Sequence, residues 1–360
     1  MSAKPTENYN QNDSERPFPG FSSNSSVPGG IAVFFFSLVI AIGIFCYLRI
    51  SVPFDEYLTP SGAVSQVFQV LPNTATEDSP DPAFMESKTQ NSGISPVPEG
   101  PRLSIAELQN TLVDFDGESD IVGIGGYVIN PEDRELLQPL IDARESHGLR
   151  VGFVMVDIHT GQGVAYNADK EFYSASSYKG IYVASLVAAR PELILERKNT
   201  FSSIVRDSDN ELYDSLYASY GKGPMLDWCE QSGVDAAVAK WCYVDYSPRE
   251  LSKLWVRNYE YFCSGAENID TVTSWYSSPR VSAINKHLGD KYATSSKAGY
   301  IGEDGYYATN DAGIVYVEGR PYIMVVMTNA SGDFSSINSI VVALNEMHDR
   351  VHVRSKIQSL

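Results

Sequence analysis

Ser176 and Lys179, in the stretch EFYSASSYKGIYVASLVAAR from Glu171 to Arg190, have the types and spacing for covalent chemistry. Three positions apart at the start of an apolar run, they fall one helical turn apart on one face, so the amine can approach the hydroxyl. A serine hydroxyl attacks a carbonyl only when a base takes its proton, and a lysine serves when desolvation lowers its pKa. A helix N-terminus adds unpaired N–H groups that favour a developing oxyanion. The chemistry this predicts is formation of an acyl-enzyme. The spacing recurs at Ser219 and Lys222, and the bland alternative for Ser176 is a helix cap beside a surface lysine.

Such a pair needs a scaffold, and the chain offers one from about Ser104 onward. SIAELQNTL opens with a capping serine, and PEDRELLQPLIDARESHG reads as a helix with Pro131 in its first turn and Gly148 at its end. RVGFVMVDIHTGQGVAYN reads as two strands joined by a turn. Glu171 to Arg190 then reads, after a loop, as a helix that stops before Pro191. DNELYDSLYASYG and SPRELSKLWVRNYEYF are further helices, KYATSSKAGY, GYYATNDAGIVYV and RPYIMVVMTN are strands, and SSINSIVVALNEMHDRVH is a closing helix. Five antiparallel strands with helices on both faces satisfy this order. The glycines of VGIGGYV lack the strand–glycine–helix unit and distal acid of a dinucleotide loop. No internal repeat is visible.

Two more stretches sharpen the reading: Ser208-Asp209-Asn210 in VRDSDNELYDSL, and Lys297-Ala298-Gly299 in YATSSKAGYIG. Ser-x-x-Lys, Ser-Asp-Asn and Lys-Thr-Gly, in that order, are the signature of class A β-lactamases and penicillin-binding proteins. This chain has the first two whole and the third altered. From Arg150 the chain resembles the start of such a catalytic domain, and SSKAGYIG with the following ATNDAGIVYVEGRPYIMVVMT is similar to its Lys-Thr-Gly strand and the two strands after it. The likeness runs from Glu132 to Val351. It implies an α/β (α+β) serine β-lactamase/transpeptidase-like fold. It further implies that Ser176 is acylated, Lys179 takes its proton, Ser208 relays a proton to the leaving group, and Asn210 holds Lys179 and a substrate amide. Lys297 would face a substrate carboxylate, with Asp209, Ala298, Gly299 and Tyr300 lining the substrate site. The N–H groups of Ser176 and Tyr300 would form the oxyanion hole. No metal or cofactor is implied.

Three departures accompany the resemblance. Ser176 and Ser208 are only about 30 residues apart, so elements that usually intervene are missing and the cleft edge is more open. Ala298 replaces a threonine whose hydroxyl would donate to the substrate carboxylate, a charge-assisted bond worth about 1.5 to 3 kcal/mol. The segment CEQSGVDAAVAKWCYVDYSPRELSKLW runs into its helix with no Glu-x-x-Leu-Asn omega loop, leaving Asp235 and Asp245 as its candidates for a base that clears the acyl-enzyme.

The formal charge of −18 argues against a nucleic-acid partner, which needs Lys and Arg to neutralise phosphates. Residues 1–28 read as a Ser-, Asn-, Pro- and Gly-rich tail, 29–49 as one transmembrane helix, 50–103 as a Pro-, Ser- and acid-rich stalk, and 104–360 as the catalytic domain. The uncharged run from Val27 to Leu48 is about the 20 residues a membrane helix needs, and no small-residue cleavage site follows it. The balance of Lys and Arg leans toward an inside N-terminus, placing the domain outside the cytoplasm on the cell membrane. Cys229, Cys242 and Cys263 allow either three free thiols or one Cys229–Cys242 disulfide. His348 and His352 read as a surface pair without a third metal ligand, and His147, His159 and His287 do not support a Ser-His-Asp triad. Two functions remain: an anchored serine hydrolase acting on β-lactams or D-alanyl-D-alanine-type cell-wall peptides, or a degenerate module that binds wall fragments without turnover.

Overall fold

The computed structural model describes residues 103–358, apart from 119 and 304. The expected tail, membrane helix and stalk lie outside the described residues but for residue 103. Among the described residues no helix is long and apolar enough to cross a membrane.

The chain begins with helix α1 (Ile105–Thr111), strand β1 (Val122–Ile124), helix α2 (Pro131–Glu145), and strands β2 (Val151–Asp157), β3 (Gly163–Tyr166) and β4 (Phe172–Tyr173). A helical middle follows: α3 (Ser177–Ala189), α4 (Leu193–Glu196), α5 (Lys198–Arg206), α6 (Asn210–Tyr220) and α7 (Gly223–Ser232). After a 3-10 turn at Ala236–Ala239 come β5 (Asp245–Tyr246), α8 (Pro248–Phe262), α9 (Ile269–Tyr276) and α10 (Ala283–Leu288). The chain then forms β6 (Ala293–Glu303), β7 (Tyr306–Tyr316), β8 (Tyr322–Thr328) and α11 (Ser335–Gln358). Local chemistry sets several starts. Ser104, Asn130 and Ser247 each close a capping box with the acid three residues on, and Pro131 and Pro248 occupy first turns where the missing N–H costs nothing.

The main sheet has six strands rather than the five expected, in the order β1-β3-β2-β8-β7-β6, and its pairs are all antiparallel. The extra strand is β1, three residues of the glycine-bearing stretch, which pairs Val122 with Ala165 at one edge. Strand β6 is the other edge and runs alongside β7 for eleven residues. The helix expected across Glu171 to Arg190 is shorter: β4 pairs with β5, and the helix begins only at Ser177. Ala175 interrupts it with φ of +44°, a left-handed conformation that costs an L-residue energy and ends regular structure.

Alternation in the central strands divides the core. Val154 and Val156 of β2, with Ile323, Val325 and Met327 of β8, pack among α3, α5, α6, α7 and α8. Val151, Phe153 and Met155, with Tyr322, Met324 and Val326, pack under α2, α10 and α11. Helices therefore cover both faces, as a strand buried on both sides requires. Cys229, Cys242 and Cys263 are free thiols. His348, expected on the surface, is buried on α11: its Nε2 lies 3.0 Å from Asp157 Oδ2 and its ring stacks on Tyr322 at 4.1 Å.

Candidate active site

The nucleophile turn is built by close backbone packing. Ser174 is buried, its carbonyl accepts from the Ser177 N–H at 3.2 Å and from Ser177 Oγ at 2.6 Å, and Ser177 Oγ meets Tyr246 OH at 2.5 Å. Buried Asn310 of β7 clamps the same turn, its Nδ2 donating to the Tyr173 carbonyl at 2.8 Å and the Ser174 carbonyl at 3.2 Å. Gly299 lets β6 approach: a Cβ there would lie 2.3 Å from Ser177 N and 2.8 Å from Ser176 N. Strand and turn therefore meet backbone to backbone.

Ser176 occupies the N-cap position of α3, yet its side chain makes no cap hydrogen bond, and it is half-buried rather than enclosed. Its hydroxyl is not consumed by the helix, which removes the capping alternative. One turn on, Lys179 is fully buried. Its Nζ donates to the carbonyls of Ser208 at 2.9 Å and Asp209 at 3.3 Å, and to Asn210 Oδ1. The rings of Tyr213 and Tyr243 lie 5.4 and 6.0 Å away. Burial lowers the Lys179 pKa to about 8, against the opposing pull of Asp214 and Asp209. Its hydrogen-bond acceptors all belong to residues 208–210.

Lys297 approaches from the other side. Its stem lies against Gly180 of α3, where a Cβ would sit 2.8 Å from Lys297 Cβ. Its Nζ donates to Ser208 Oγ at 3.0 Å and to the Ala298 carbonyl at 2.8 Å. Burial, then repulsion from Lys179, brings its pKa down to about 7. Ser208, held at φ of +65°, thus presents its carbonyl to one lysine and its hydroxyl to the other.

The structure brings together Ser176, Lys179, Ser208, Asn210, Lys297 and Gly299, and places the remaining expected residues differently. The Asp209 carboxylate accepts from the Leu212 N–H at 2.9 Å and caps α6, leaving its carbonyl for Lys179. Ala298 is 1% exposed and pairs across the ladder with buried Asp311, on the face opposite Lys297. Asp311 accepts from Ser282 Oγ at 2.7 Å and from the Ile284 N–H at 2.9 Å, its other oxygen has no partner, and burial pushes its pKa up to about 6. Tyr300 lies on β6, an edge strand with one backbone side outside the sheet, which leaves main-chain donors open to a ligand. Asp235 caps the 3-10 turn through the Ala237 N–H, and Asp245 is exposed on β5. The carboxylate that acts most strongly on Lys179 is instead Asp214, one turn after Asn210 on α6 and raised by its own desolvation. Asn310 and Asp214 carry no motif: Asp214 had only its place one helical turn after Asn210 as a signal, and Asn310, which meets Gly299 across the β6–β7 ladder, had none in the sequence. Among the described residues no group of three His, Cys, Asp or Glu is placed to hold a metal ion.

Residues 190–347 match the model of the β-lactamase enzyme family. The matched stretch contains Ser208, Asp209, Asn210 and Lys297, and begins after Ser176 and Lys179. Over this stretch, less than half of the chain, the sequence is similar to that family. Among solved structures it is similar to a class A β-lactamase from Clostridium kluyveri DSM 555, at 16% identity over 60% of this chain and 98% of that one, with a TM-score of 0.49. It is also similar to a class A β-lactamase from Mycobacterium abscessus, at 18% identity over 61% of this chain and 98% of that one, with a TM-score of 0.45. No curated protein matches.

Proposed function

We propose that the protein is a serine hydrolase that forms an acyl-enzyme on Ser176 with β-lactams or D-alanyl-D-alanine-type cell-wall peptides. The observation that carries this is a pair of buried lysines flanking Ser208, neither with a hydrogen-bonded carboxylate, beside a serine hydroxyl unspent at a helix N-terminus. Lys179, once it sheds its proton, accepts the proton of Ser176 Oγ as that oxygen attacks the carbonyl carbon. The resulting oxyanion is met by the N–H groups of Ser176 and Tyr300. As the C–N bond breaks, Ser208 Oγ gives its proton to the departing nitrogen, and Lys297, 3.0 Å away, makes good the loss. The product is an ester on Ser176, which water then hydrolyses.

The full-length protein incubated with a penicillin and followed by intact mass tests this, with Ser176→Ala alongside. A lasting adduct absent from the variant means a peptidase-like site with slow deacylation. Drug consumption without an adduct, abolished in the variant, means turnover as a β-lactamase. Absence of both overturns acylation by Ser176.

A second function, binding of wall fragments without turnover, is favoured by the resting Lys179, whose hydrogen bonds all go to residues 208–210. A binder keeps its ligand when Ser176 is replaced. The proposal includes an anchored domain outside the cytoplasm, supported by the uncharged apolar run from Val27 to Leu48. Protease digestion of intact cells that spares the domain would sink that placement.

A further inference from the structure

The tip of the β6–β7 hairpin carries large side chains that the acylation chemistry does not use. Tyr300, Tyr306 and Tyr307 are 45%, 41% and 50% exposed. Strand alternation sorts them onto two faces. Tyr306 pairs with Glu303, which shares a face of β6 with Lys297, Gly299 and Ile301, the face on which the nucleophile turn packs. Tyr307 pairs with Gly302 and so belongs to the opposite face, as does Tyr300, which meets Phe334 edge-on at 5.4 Å.

Tyr306 alone of the three therefore stands on the cleft side. Its ring centroid is 4.7 Å from that of Tyr173, inside the range of favourable ring pairs. Tyr173 is three residues before Ser176, half-buried, with its carbonyl held by Asn310. The pair makes an aromatic step that continues from the nucleophile turn to the start of β7 at the hairpin tip, with Tyr243 and Tyr213 around Lys179 adding further aromatic rings. An exposed ring backed by a fixed one presents an apolar face at little entropic cost, which is how aromatic side chains bind flat ligands. The charges bordering the step are acidic: Glu303 opposite Tyr306, and Asp245 opposite Tyr173. A carboxylate-bearing group would be repelled there, and a neutral ring would not.

We propose that Tyr306, stacked on Tyr173, forms the subsite for the acyl side chain of the Ser176 substrate and selects acyl groups that end in a neutral aromatic ring. Resting on the acylation proposed above, this adds the substrate class to it. The test compares second-order acylation rates of the full-length protein, by intact mass, for three penicillins that differ only in acyl chain: phenylacetyl, an aliphatic chain of similar length, and phenylacetyl carrying an added carboxylate. The phenylacetyl compound should react about tenfold faster than the aliphatic one, the value of one extra ring pair, and faster again than the carboxylated one. Tyr306→Phe should preserve the aromatic-to-aliphatic ratio and Tyr306→Ala should collapse it toward unity. Being a ratio, this readout is independent of how much of a variant is folded. Equal rates in the unsubstituted protein, or a ratio that survives Tyr306→Ala, overturn the subsite while leaving Ser176 as the nucleophile. No adduct with any of the three removes the Ser176 chemistry and the subsite with it.

Discussion

Buried charge is handled in opposite ways at the two ends of this domain. Where α11 crosses α2 and β2, carboxylates are buried with donors on every side. Asp133 receives Arg354 Nη1 at 2.7 Å, Tyr127 OH at 2.9 Å and the Asn130 N–H at 3.2 Å, and Asp157 faces His348 while accepting from the His159 and Thr160 N–H groups and the Thr160 hydroxyl. Burial works to raise both carboxyls, and the partners outweigh it, so both end below their ordinary values. At the β6 edge Lys179 and Lys297 are buried with carbonyl, amide and hydroxyl oxygens as their hydrogen-bond acceptors, and burial wins: their pKa values come down to about 8 and about 7. A paired charge is locked in one protonation state. An amine whose charge is only partly offset can change state near neutral pH, which is what proton transfer demands.

Breaking each end should separate activity from stability. Lys179→Met should lower the acylation rate by about 100- to 10,000-fold, the usual worth of a positioned base, as read by the rate of adduct formation. His348→Ala should do the reverse, removing about 3 kcal/mol of folding stability in urea titrations, because it strips a partner from a buried carboxylate. A His348→Ala protein that acylates slowly while staying equally stable would erase the contrast. The Asp157 pair also has a defined sign with pH. A carboxyl lowered in the folded state contributes stability above its unfolded value, and that contribution is lost as pH falls through the lowered one.

The acylation rate should follow a bell between pH about 7 and about 8, because Lys179 must lose a proton and Lys297 must keep one. Each limb should fall by about tenfold per pH unit. A rate that climbs steadily toward pH 10 would mean that burial does not shift these amines. The smallest effect belongs to Ala298→Ser. Its new hydroxyl faces the unpartnered oxygen of Asp311 and should add about 1 kcal/mol of stability. Faster acylation by a carboxylate-bearing penicillin with no gain in stability would show that position 298 serves the cleft instead.

Much of the site is legible in the chain because the motifs are local. Ser176 and Lys179 are one helical turn apart, Ser208 to Asn210 open a helix, and Lys297 to Gly299 form a strand, so each group's geometry follows from its neighbours. The contributions of Asn310, Asp214 and Tyr306 depend on contacts across about 35 to 137 positions, which no local pattern encodes. Strand β1 was missed because three residues with a central glycine carry no alternation. His348 could have been found, since it falls four residues after Leu344 and three before Val351, both buried on the same helix.

What the amino-acid order determined by itself is the succession of helices and strands and the identity of the reactive groups, because periodicity and capping act over a few neighbouring residues. Only the tertiary structure decided that the Ser176 hydroxyl is left unspent, that Ala298 turns toward Asp311, and that two lysines lie buried around one serine. Those outcomes depend on which face of a strand meets which helix and on how much water that contact removes, and desolvation is a property of the assembled core.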